Sequence, residues 1–251
     1  MSRVFRGLLA AVQFLTRVPV PDAPLGEVGL AEAAPYFPLV GAALGLAAGG
    51  VDAALQAHLG VTVAAVGTVL FLVLATGALH EDGLADSADG FGGGGHAAER
   101  VLDIMRDSRI GSYGAVAVTL SLLLRIACIA SLPRQHALGY FIAAETLSRW
   151  CVLPLAYWLP SARAGQPSAG QGARIASRLS PAAVWIATLL AAAVTVISLG
   201  ARSWLPCAAC VLTTAASGLY FRRRLHGVTG DCFGAAIQLT ALVVYLCGVW
   251  R

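Results

Sequence analysis

"AAVWIATLLAAAVTVISLG", residues 182–200, carries no charged side chain and no internal proline. An α-helix rises 1.5 Å per residue, so roughly 20 such residues cross the hydrocarbon core of a bilayer. In lipid the backbone must satisfy its own hydrogen bonds, which makes helix the required conformation. Comparable stretches recur at 36–58, 62–80, 112–132, 137–160, 204–221 and 232–250. The chain of 251 residues is 58% hydrophobic and 12% charged, with mean hydropathy +0.76; soluble domains carry about 25% charged residues. The sequence therefore predicts an all-α, polytopic integral membrane helical bundle of about seven transmembrane helices, in one domain over 1–251.

Ahead of these spans, "VFRGLLAAVQFLTRVPVP" (4–21) is apolar but short and contains Arg6 and Arg17. That pattern predicts an interfacial or re-entrant helix, and the small-residue cleavage site of a secretory signal is missing.

The net charge of +4 comes entirely from arginine. If the segment after residue 80 faces the cytoplasm, Arg3, Arg6, Arg17, Arg100, Arg106, Arg109, Arg163, Arg174, Arg178, Arg222, Arg223 and Arg224 all lie on that side. Arg134, Arg202 and Arg251 lie on the other, while Arg125 and Arg149 fall within spans. This bias follows the positive-inside rule and orients the N-terminus inward and the C-terminus outward in a bacterial inner membrane. The basic charge is thus accounted for by the bilayer, with no nucleic acid as partner.

The outer connections are short, whereas the inner ones, 19–35, 81–111, 161–181 and 222–231, are longer and polar. The segment 161–181 is rich in Gly, Ala and Ser and reads as flexible. Cys207 and Cys210 form a CxxC inside a predicted span, without a second pair or nearby histidines, and read as small core residues rather than metal ligands.

Seven of the thirteen acids, Glu81, Asp82, Asp86, Asp89, Glu99, Asp103 and Asp107, fall in 81–107. On a helix Asp82, Asp86 and Asp89 share one face, and Glu99, Asp103 and Asp107 share another. The glycines of "GFGGGG" (90–95) would turn the chain so that the two stripes oppose. Like charges so spaced destabilise a helix unless a cation lies between them. All-oxygen donors suit a hard cation, Mg²⁺ first. His80 and His96 flank the cluster without forming a ligand pattern. The competing reading is a solvated acidic loop.

"MRDSRIGSYG" (105–114) follows, with Arg106, Ser108 and Arg109. Guanidinium forks match phosphate oxygens, although lipid headgroups would engage the same arginines. In "RRRLHGVTGDCFGA" (222–235), Asp231, with Thr229 nearby, either caps the next helix or contacts substrate or metal. Glu145 and Arg149, at i,i+4 within a span, form an ion pair that is either functional or a lock between helices.

These motifs, with "FLTRVPVP" (14–21), "YFPLVGAALG" (36–45), "HEDGLADSADGFGGG" (80–94), "IMRDSRIGSYG" (104–114) and "GVTGDCFGA" (227–235), resemble the cobalamin synthase family, the adenosylcobinamide-GDP ribazoletransferases, over nearly the whole chain. The resemblance implies Mg²⁺-dependent transfer of adenosylcobinamide phosphate from adenosylcobinamide-GDP to the 5′-hydroxyl of α-ribazole or its 5′-phosphate, releasing GMP. On that basis Glu81, Asp82, Asp86, Asp89 and Asp103 are expected to hold the metal, with Asp82, Asp86 and Asp107 catalytic. Arg106, Ser108, Arg109, Thr229 and Asp231 are expected to bind substrate. Gln238 departs from the acidic residue that the family often places there.

Two rivals remain. The CDP-alcohol phosphotransferase signature is echoed by Asp86, Asp89, Gly90, Asp103 and Asp107, but Gly93 and Gly94 replace its Ala-Arg and Glu99 its second glycine. A cation or solute transporter would use the acids as a pathway, yet transport sites lie near the bilayer midplane on broken helices, and these acids are predicted in a loop.

Overall fold

The computed structural model describes residues 3–20, 29–163 and 179–250. The polar segments 19–35 and 161–181 lie partly outside these residues, as do Arg174, Arg178 and Arg251.

Among the described residues the regular structure is helical, with one isolated bridge between Ser161 and Val228. The helices are α1 (Arg3–Leu15), α2 (Phe37–Gln56), α3 (Val61–Thr76), α4 (Leu79–Gly93), α5 (Ala98–Ile104), α6 (Ser112–Ser131), α7 (Arg134–Trp150), α8 (Val152–Trp158), α9 (Pro181–Leu199), α10 (Trp204–Leu225) and α11 (Gly230–Val249). A polytopic helical membrane protein is thus the fold.

Each of the seven expected spans coincides with helix, but their count is smaller by length and apolarity. Four helical stretches qualify among the described residues: 30–56, 112–131, 181–225 and 230–249. A fifth is reached if the bent pair α3 and α4 is taken as one span. The expected span 62–80 stops at Thr76, where Gly77 and Ala78 both take left-handed backbone (φ 65° and 57°) and turn the chain by 89°. Gly77 suits that conformation at little cost, whereas Ala78 adopts it against its own preference. The expected span 137–160 breaks between α7 and α8, and α7 carries Glu145 and Arg149.

Despite those charges, α7 lies at the centre of the bundle, against α2, α9 and α11. Backbones approach closely because one face of α2 is a stripe of small residues. A Cβ at Gly41 would strike the Glu145 carbonyl, and one at Gly45 the Phe141 carbonyl, the small-xxx-small solution to packing helices in lipid. Within the core, Phe141 meets Tyr245 of α11 edge to face at 5.7 Å.

The largest departure concerns 81–93, expected as part of an inner connection with Asp82, Asp86 and Asp89 on one helical face. It is helix α4, wedged between α6 and α11. Gly83 is responsible for the close approach to α11, since a Cβ there would stand 2.9 Å from the Asp231 carbonyl oxygen and 3.0 Å from the Gly234 Cα. The glycine run does not turn at Gly90 as expected. It stays helical to Gly93, because Gly90 packs on Met105 and the Val101 carbonyl, and the chain turns only over 94–97.

Candidate active site

At one end of the bundle, α1, α2, α4, α8 and α11 surround a cavity of about 310 Å³. Its polar lining comprises His80, Asp82, Ser161, Arg163, Thr229 and Asp231. Its apolar lining includes Phe14, Leu15, Phe37, Val152, Phe233 and Ile237.

Asp231 reaches the cavity because it is not the helix cap. Thr229 is: its Oγ1 accepts from the Cys232 amide at 3.2 Å. The cap reading of Asp231 is therefore corrected, and its carboxylate is left to accept from Thr229 Oγ1 (3.3 Å) and Arg163 Nη2 (3.4 Å). Arg163 arrives through backbone pairing. The Val228 amide donates to the Pro160 carbonyl at 2.9 Å and the Ala162 amide to the Val228 carbonyl at 3.0 Å. This bridge holds two segments distant in sequence side by side.

From α4, Asp82 lines the cavity, and Asp86 lies one turn further, half-buried in the combined field of Asp82, Asp231 and Asp89, with Arg163 as the opposing charge. Asp89, one of the expected metal ligands, is buried and bonded to backbone. Its Oδ2 accepts from the Gly111 amide at 2.7 Å and its Oδ1 from the Gly114 amide at 2.9 Å. Both amides belong to the start of α6, whose first N–H groups have no partner within the helix.

Glu81 points into the bundle. Its Oε1 accepts from Gln238 Nε2 at 2.9 Å and lies 3.6 Å from Arg125 Nη1, and Arg125 also donates to Gln238. Deeper still, Arg149 donates to Glu145, and the Tyr245 hydroxyl donates to the same carboxylate at 3.3 Å. The i,i+4 pair read from sequence is thus present, buried and joined to α11.

The second acidic stripe does not form as expected. Helix α5 ends at Ile104, so Asp107 lies beyond it in a turn, while Glu99 and Asp103 are exposed and Asp103 lies 4.0 Å from Arg106. Asp107 is gripped by its neighbour Arg109 through Nη2 (2.6 Å) and Nε (3.0 Å) and accepts the Arg109 amide at 3.1 Å. These bonds hold the Asp107 carboxyl down at about 2. Ser108 and Arg109 are exposed.

Among the described residues, no three His, Cys, Asp or Glu side chains stand close enough, as placed, to hold one metal ion. In chemistry, however, Asp82, Asp86 and Asp231 present only carboxylate oxygens around a shared excess of negative charge, which is the donor set a hard cation takes.

Sequence alone gives His80 no ligand pattern and Arg163 no role beyond the charge bias, yet both line the cavity. His80 is buried, its Nε2 without a partner, in the field of both Arg149 and Arg125. The one signal for it was its position beside Glu81 and Asp82; for Arg163 there was none, because the backbone bridge that places it leaves no local pattern. His96 is exposed, and Cys210 is buried in the core with Cys207 half-buried beside it, both as free thiols.

A helical membrane bundle with a carboxylate- and arginine-lined cavity at one end defines a membrane-embedded enzyme of charged substrates. The chain belongs to the cobalamin-5-phosphate synthase family, whose model matches residues 7–249. It is 44% identical to an adenosylcobinamide-GDP ribazoletransferase of Azorhizobium caulinodans, covering 99% of this chain and 96% of the relative. Proteins of the same description from Ralstonia nicotianae (39%; 95% and 93% covered) and Vibrio parahaemolyticus (39%; 95% and 89%) are similarly related. No solved structure matches. The echo of the CDP-alcohol phosphotransferase signature is therefore a likeness of donors rather than of family.

Proposed function

We propose that the protein is an adenosylcobinamide-GDP ribazoletransferase, joining adenosylcobinamide phosphate to α-ribazole or its 5′-phosphate with release of GMP. The observation that carries this reading is the convergence of Asp82, Asp231 and Arg163 on one cavity, with Asp86 in their field, in a chain whose relatives bear that name.

In the reaction a free ribose hydroxyl of the acceptor attacks the phosphorus bonded to the cobinamide; the 5′-oxygen expected from the resemblance cannot serve both acceptors, because in α-ribazole 5′-phosphate it is already esterified. The bond to the bridging oxygen breaks and GMP departs. The hydroxyl proton passes to a carboxylate, for which Asp82 and Asp231 are placed on the cavity. Arg163 balances charge beside them, and Arg106 and Arg109, on the segment leading into α6, are the further guanidinium groups for the diphosphate. Arg109 must first exchange Asp107 for a phosphate.

Asp82, Asp86 and Asp231 are the residues that would hold Mg²⁺, which when bound would neutralise the diphosphate and the departing phosphate. Asp89 and Glu81 support this set structurally, by fixing α4 to α6 and α11.

The cavity end also carries Arg163 and Arg222 to Arg224, whereas at the other end Arg134 begins α7 and Arg202 lies in the turn before α10. By the positive-inside rule the site faces the cytoplasm, in a bacterial inner membrane, the side on which a GTP-derived substrate is made.

The test is GMP release by the protein in nanodiscs from adenosylcobinamide-GDP. Release that requires both acceptor and Mg²⁺ supports the proposal. A folded preparation that releases none refutes it.

A further inference from the structure

The apolar wall of the cavity has no part in handling phosphate. Phe14, at the end of α1, is half-buried and stacks on the fully buried Phe37 of α2, with centroids 5.6 Å apart and planes at 20°. Val152, Phe233 and Ile237 add to the apolar lining of the same cavity, which Asp82 and Asp231 also line.

A polar group pressed against such a wall loses its hydrogen bonds to water and gains none. That excludes the diphosphate, and it disfavours guanine, whose edge carries donors and acceptors that these side chains cannot meet. The cavity lies at the low end of ligand-pocket volumes, roughly 300–1,000 Å³, too small for a corrinoid macrocycle with its fringe of amides. What fits is a flat bicyclic ring that is apolar along its edge. The base of α-ribazole is such a ring: a benzimidazole with two methyl groups and, once joined to ribose, no N–H.

We infer that Phe14, backed by Phe37, forms the wall that receives the base of the acceptor nucleoside, with its ribose turned toward Asp82 and Asp231. This rests on the transferase reading above. The orientation brings the attacking hydroxyl to the carboxylate side while the methylated edge is buried. It also gives α1 a role beyond resting at the membrane interface, because its last turn sets acceptor specificity.

Phe14→Ala and Phe14→Leu, in nanodiscs, test this through initial rates with each substrate varied in turn. In Phe14→Ala the KM for α-ribazole rises about tenfold, as expected for loss of an aromatic contact face, while that for adenosylcobinamide-GDP stays within about twofold. Phe14→Leu, which keeps apolar bulk in case the alanine variant folds poorly, shows a smaller rise in the same direction. Wild-type protein favours α-ribazole over the riboside of unmethylated benzimidazole, and Phe14→Ala narrows that gap. An unchanged acceptor KM, or a rise in the KM for adenosylcobinamide-GDP in its place, overturns the assignment while leaving the transferase reading intact. Absence of GMP release by the wild-type protein overturns both.

Discussion

Gln238 of α11 donates to Glu81 of α4 at 2.9 Å, both side chains being buried. Because Gln238 also accepts from Arg125 of α6, one neutral amide joins three helices. It leaves one carboxylate for one guanidinium, whereas an acid at this position would set two carboxylates on Arg125. Gln238→Leu deprives both charged partners of a hydrogen bond and should lower stability by about 1–2 kcal/mol, read as a drop in melting temperature in detergent. An unchanged melting temperature would show that Glu81 and Arg125 satisfy each other without it.

Asp89 is the brace at the other end of α4. Asp89→Ala removes two hydrogen bonds to a charged acceptor and should cost about 2–3 kcal/mol; Asp89→Asn, which keeps one acceptor oxygen, loses about half of that. If Asp89 holds the metal instead, Asp89→Asn will raise the Mg²⁺ concentration needed for activity and leave the melting temperature in place.

Asp82 faces the cavity among like charges, so neutralising it relieves repulsion, whereas Asp231 is also the partner of Arg163 and Thr229. Asp82→Asn and Asp231→Asn should each lower turnover by at least about 100-fold, the usual size of a lost acid–base contribution, and Asp82→Asn should do so without lowering the melting temperature. Chelation with EDTA should abolish wild-type activity, and added Mg²⁺ should restore it. Normal turnover in Asp82→Asn would remove it from the catalytic set.

The Asp107–Arg109 pair makes a prediction in pH. The folded carboxyl lies at about 2 because Arg109 bonds to its charged form, below the ordinary aspartate value of about 3.9. The pair is therefore fully formed above about pH 4 and is lost as the pH falls through about 2. Carboxyl carbon shifts from isotope-labelled Asp107 should titrate near 2 in the wild type and near 4 in Arg109→Ala. Arg109→Lys should keep the charge yet lose much of the activity, since an ammonium cannot supply the fork.

Much of the fold was legible because hydropathy measures what lipid demands, as at 182–200 and 232–250. Helix α4 was legible as a helical stripe of carboxylates but not as a part of the bundle, because it meets protein rather than lipid on most sides. Its acids find partners in Gln238, Arg125 and the Gly111 and Gly114 amides, and its glycines permit contact with α11 and α5, so the segment has the composition of a loop. Asp82 and Asp231 were recoverable as carboxylates near one membrane face. Arg163 was not, since its place depends on backbone pairing between 160–162 and 228. Asp107 was read as a continuation of the Glu99 and Asp103 face, but periodicity alone does not reveal that α5 ends at Ile104.

The wedge of α4 between α6 and α11 also dictates an order of assembly. Glu81 leaves the ribosome 157 residues before its partner Gln238. Throughout that interval the spans on either side can enter the bilayer by their own apolarity, but the acidic helix has no completed slot to occupy. The catalytic end of the protein is therefore closed only once α11 is made, and a nascent chain halted short of it would be a membrane-inserted but siteless intermediate, a natural substrate for quality-control proteolysis.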